Sequence, residues 1–81
     1  MKCLKCEKES EDQDVVIYRY TNLMASTELD GSFQIAKKEL SVSTVKLPAY
    51  TKERIDEMRL AGKLIIEFHE TGAWPEGAAL R

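Results

Sequence analysis

Two runs rich in β-branched and aromatic residues, Val15-Val16-Ile17-Tyr18-Arg19-Tyr20-Thr21 and Phe33-Gln34-Ile35-Ala36, flank Leu29-Asp30-Gly31-Ser32. Such side chains suit a pleated, half-buried surface. Asp-Gly between two such runs marks an antiparallel hairpin, because glycine accepts the positive φ the turn demands. Beyond Lys37-Lys38-Glu39 a third run follows, apolar first at Leu40 and Val42, then at Val45 and Leu47. That one-residue change of phase in a period-two pattern requires a bulge or a local twist, and Pro48 ends the strand.

A helix is expected next. Thr51 is placed to cap it, the acidic residues of Lys52-Glu53-Arg54-Ile55-Asp56-Glu57-Met58-Arg59-Leu60-Ala61 cluster early, and Ile55 and Met58 share one side. Gly62 stands where a terminating glycine belongs. The run Lys63-Leu64-Ile65-Ile66-Glu67-Phe68-His69 admits two readings: a continued helix, which spreads its apolar residues over most of the circumference, and the strand we favour, which puts Leu64, Ile66 and Phe68 on one face. The expected fold class is therefore α+β: a small, mostly antiparallel sheet with one helix packed on a face, in the order β-β-β-α-β.

Three segments follow from the same reading. Residues 1–14 form a polar N-terminal segment bearing Cys3-Leu4-Lys5-Cys6, with 7–14 a solvated linker or turn. Residues 15–70 form the α+β domain. Residues 71–81 are a Gly/Ala-rich tail that carries Trp74, where Pro75 can open a helical turn.

The chain has 81 residues, which allows one domain. At this size folding buries only about 63% of the unfolded surface, so the domain gains from a staple, a metal, a partner or a second copy of itself. Twelve Lys and Arg against 14 Asp and Glu give a net charge of -2, with no concentrated basic stretch. Nucleic acid is thus a poor candidate partner, since binding it means neutralising several phosphates at once. No apolar run reaches the roughly 18 residues of a membrane span, and the charged N-terminus lacks a signal-peptide core. The expected location is the cytoplasm.

Cys3 and Cys6 carry the one spacing with a recognised chemistry. Two thiolates separated by two residues can bite a Zn²⁺ ion, with His69 as a third ligand and Glu67 or Glu70 as a fourth, or with two chains giving a cysteine pair each. In the redox reading, Lys2, Lys5 and Lys8 would favour the thiolate. In the bland reading both thiols are unbonded at a frayed end. His69 alone marks no catalytic set. Glu53, Asp56 and Glu57 form a solvated helix face that can serve as an acidic docking surface, and Trp74 either docks on its own sheet or anchors a partner. Together these features describe a small protein-binding module, an accessory subunit or inhibitor without catalytic activity. A zinc-dependent domain, shared across a homodimer in one version, and a thiol redox protein are the alternatives.

Overall fold

The computed structural model describes residues 3–81, and Met1 and Lys2 lie outside it. Its elements are β1 (Leu4–Glu11), β2 (Val15–Asn22), β3 (Gly31–Ala36), β4 (Ser41–Lys46), α1 (Ile55–Thr71) and β5 (Gly77–Leu80). The strands make one antiparallel sheet in the order β4-β3-β2-β1-β5, with α1 laid across one face. The α+β class stands as expected, with strands added at both ends of the chain.

Period-two alternation builds the core. Val16, Tyr18 and Tyr20 of β2, Phe33 and Ile35 of β3, and Leu4 and Cys6 of β1 all point toward the helix and are closed to solvent. Phe33 joins the two tyrosine rings, 5.8 Å from Tyr18 and 5.5 Å from Tyr20. From the other side come Leu60, Ala61 and Leu64 of α1. The phase change in the third run is a bulge at Val45: Phe33 pairs with Thr44 and Ser32 with Lys46, leaving Val45 as the extra residue, exposed at the sheet edge.

Four expectations require correction. The segment 7–14 is a turn only at 12–14, because β1 runs through Glu11, paired with β2 along its length and with β5 as far as Glu7. Only its first half has a buried face, so the rest looks polar while its backbone is engaged. The stretch 63–69 is helix, and Gly62 does not end α1. Termination comes at Gly72, left-handed at φ 79°, whose N–H reaches the Phe68 carbonyl at 2.7 Å. Length explains the outcome. Five strands span about 19 Å between the outermost pair, and a 17-residue helix of about 25 Å covers that width. A helix stopped at Gly62 would leave much of the aromatic face in water.

The third correction is the hairpin turn. β2 and β3 pair as expected, but the connection between them runs over 23–30, and Gly31 is already the first residue of β3. It has no positive φ. Glycine is needed there for close approach, since a Cβ would sit 2.8 Å from both the Pro48 ring and the Tyr20 ring. The fourth concerns the tail. Gly77–Leu80 is strand β5, paired from Leu4 with Leu80 to Glu7 with Gly77, and no helical turn opens at Pro75.

Candidate functional site

Glu57 occupies the most unusual polar environment among the described residues. It is fully enclosed in the first helical turn of α1, on the face that carries Leu60, Ala61 and Leu64. Three donors meet its carboxylate: the Tyr20 hydroxyl at 3.2 Å, the Thr44 hydroxyl, and Arg54 Nε at 2.8 Å. Arg54 also donates to the Val42 carbonyl at 2.9 Å. Neighbouring Asp56 is buried too and accepts from the Tyr50 hydroxyl at 2.9 Å. These bonds lock the helix N-terminus to β2 and β4, and the negative charge at that end suits the helix dipole. Burial, followed by the charge of Glu57, raises the Tyr20 phenol well above its ordinary range, so it stays a donor.

The acidic residues expected on one docking surface are therefore split. Glu53 is exposed, while Asp56 and Glu57 are structural. A helical wheel carries the signal for this, because at about 100° per residue Glu57 falls beside Leu64 and Phe68. Ile55 and Met58, expected to share one side of the helix, lie at the surface, 53% and 49% exposed.

The cysteines and His69 do not converge. Cys6 points under α1 and is 1% exposed, whereas Cys3 directly precedes Leu4 and by strand alternation takes the opposite face. Residues three apart on an extended chain cannot turn both sulfurs to one ion. His69 is exposed near the far end of the helix, its ring 5.8 Å from that of Phe68. Among the described residues no group of three or more His, Cys, Asp or Glu is placed to hold a metal. Of the lysines invoked for a thiolate, Lys2 lies outside the described residues, and Lys8 pairs with Glu11 at 2.6 Å.

Burial pushes the Cys6 thiol up to about 12, helped by the charges of Glu67 and Glu7 and opposed by a hydrogen bond to the Ala78 backbone. This is the reverse of what a thiol nucleophile needs. It also fixes a pH dependence. The folded thiol stays neutral while the unfolded chain ionises near 9.0, so its contribution to stability is complete below that pH and is lost as pH rises toward 12. We expect denaturation midpoints to fall above pH 9 and the fall to be shallower in Cys6→Ala, and equal slopes would refute this role. Tyr18 and Tyr20 act in the same direction but enter at higher pH.

Trp74 docks on its own chain. It is 6% exposed and stacks on Phe68 at 4.4 Å with ring planes 9° apart. The Tyr18 hydroxyl donates to the Pro75 carbonyl at 2.7 Å, and Lys8 N–H to the Glu76 carbonyl at 2.7 Å, so the tail is fastened to both β2 and β1.

Two surface depressions stand out among the described residues. One, of about 360 Å³ on the open face of the sheet, sets Glu9 and Asp30 against Arg19 and Lys46, a mixture that favours no single sign of ligand. The other, of about 580 Å³, runs from the outer side of α1 round the flank that borders β5, between Met58, Gly62, Ile66 and Leu80 and beside Arg59, Lys63, Glu67 and Glu70. Ile66 is 62% exposed there, and beyond the backbone of its own helix nothing lies within 4 Å of where a Gly62 Cβ would be. An apolar ridge on the side of a helix opposite its core does nothing for the fold. It is the candidate site.

Neither the known protein families nor the curated proteins and solved structures provide a significant match to this chain. Among the described residues no helix is long and apolar enough to cross a membrane.

Proposed function

We propose that this protein is a small cytoplasmic interaction module without catalytic activity, and that its working surface is the outer ridge of α1 together with Leu80. One observation carries the reading: Ile55, Met58 and Ile66 are all about half exposed or more on the helix side facing away from the sheet. Exposed apolar residues scattered singly need no explanation, but three on one ridge, two of them lining a depression at Gly62, form a patch of the kind that marks an interface. The enclosure of Glu57, Tyr20 and Cys6 supports the non-catalytic half of the reading, since the groups with the most perturbed surroundings are held within the fold and out of reach of a substrate.

The test is site-specific photocrosslinking in cells. A photoreactive residue in place of Ile66 should give several times more protein adduct than the same residue in place of Ser43, which is exposed on β4. Equal yields at the two positions, or none at position 66, would overturn the assignment.

A further inference from the structure

From the charge pattern along the ridge we infer that the partner seated on α1 is a second copy of this chain, docked antiparallel about a two-fold axis at the level of Leu64. The inference rests on the binding-surface reading and names its occupant.

At about 100° per residue, Ile55, Gly62 and Ile66 fall within about 40° of one line along the helix, facing opposite Leu64. An axis at Leu64 sets Ile66 of each copy over Gly62 of the other. The most exposed apolar side chain of the ridge then enters the depression beside Met58 and Leu80, where the missing Cβ leaves room. A mid-helix glycine costs helix stability, and close backbone approach by a neighbour is a use that repays it.

Charge fixes the orientation. One flank of the ridge is basic in its N-terminal half, at Arg59 and Lys63, and acidic in its C-terminal half, at Glu67 and Glu70. Under a two-fold axis perpendicular to the helices this flank meets itself reversed. Arg59 comes within a residue of the level of the other copy's Glu70, and Lys63 within a turn of its Glu67. A parallel pairing would instead set this flank against the other side of the partner's ridge, which carries Met58 and Ile65, and leave its charges without complements. Within the chain Lys63 and Glu67 make only a long, half-buried pair at 3.8 Å, and among the described residues Arg59 and Glu70 form no ion pair. The flank is thus available to a copy. A single helix ridge of about 25 Å is a modest interface, so the dimer is a weak one, in the micromolar range.

Sedimentation of the full chain from micromolar to millimolar concentration reads the association directly. The expected result is a monomer–dimer equilibrium that Ile66→Glu weakens more than tenfold without changing the circular dichroism spectrum. Gly62→Ala should weaken it severalfold while raising the melting temperature of the dilute chain, as alanine in a helix does. Two charge variants test the orientation. Arg59→Glu with Lys63→Glu makes the flank wholly acidic, and Glu67→Lys with Glu70→Lys makes it wholly basic. Each alone should associate at least tenfold more weakly than the natural chain, and an equimolar mixture should recover the dimer. Self-association of either variant at the natural strength, or a mixture that stays monomeric, overturns the antiparallel arrangement. A natural chain that is monomeric throughout overturns self-docking. If the crosslink from position 66 then falls on a different protein, the binding surface survives and only its occupant changes; with no crosslink either, both readings fall.

Discussion

Trp74→Ala should cost about 4 kcal/mol, a large fraction of the stability of a domain this size, and lower the melting temperature by about 15 °C or more. The indole is 6% exposed and lies flat on Phe68, so truncation opens a cavity between the end of α1 and the sheet. Loss of the anchor also loosens Pro75 and Glu76, which hold Tyr18 and β1. Trp74→Phe keeps a stacking ring and should cost only about a third as much. Calorimetry of the two variants decides the role. If Trp74→Ala melted like the natural chain, the tryptophan would not be part of the core.

Glu57→Ala should cost about 3 kcal/mol through a different mechanism, because the side chain is fully enclosed and its removal leaves the buried Tyr20 hydroxyl and the half-buried Thr44 hydroxyl without their acceptor. The arginine contributes less to this loss. Arg54 is half exposed, and water can take over the bond it loses, so Arg54→Ala should cost no more than about 1 kcal/mol. Glu57→Gln tests whether the charge or the acceptors matter. Its carbonyl can still receive Thr44 and Arg54, and the Tyr20 hydroxyl can turn to accept from the new amide, so the loss should be intermediate. Urea unfolding checks the order, with Glu57→Ala the weakest chain, Glu57→Gln next and Arg54→Ala nearest the natural protein. A Glu57→Gln chain as weak as Glu57→Ala would mean that the charge itself holds the helix.

How much of this is legible in the sequence follows from what each residue does. β2, β3 and β4 alternate apolar and polar because one face meets a helix and the other meets water, and the Val45 bulge shows directly as a change of phase. β1 is not legible. Only Leu4 and Cys6 are buried in it, and its Glu and Lys residues have poor strand propensity, so two flanking strands make it extended where its composition does not. β5, Gly-Ala-Ala-Leu, carries too little pattern to register, and its first glycine is demanded by backbone approach: a Cβ on Gly77 would lie 2.5 Å from the Cys6 carbonyl oxygen.

In the helix, a short apolar run admits either period, and the width of the sheet to be covered decides between them. Glu57 reads as a solvated acid because acids are common in first turns, although its place on the apolar side of the wheel contains the answer. The ridge misleads for the converse reason. Ile55 and Met58 look like core residues at helical spacing, and only the orientation of α1 on the sheet shows that they face outward.

The pairing of Leu4 with Leu80 has a consequence for how the chain is made. During synthesis β1 emerges early, yet the strand that covers its free side emerges after the rest of the sheet. Until then β1 stands as an open edge on a growing polypeptide, exposed to any extended chain nearby. Lys5, Glu7, Lys8, Glu9 and Glu11 place charge along that edge, which discourages foreign strands from joining it. The residues that make β1 look like a linker thus double as its guard on the ribosome, keeping the seat empty for β5.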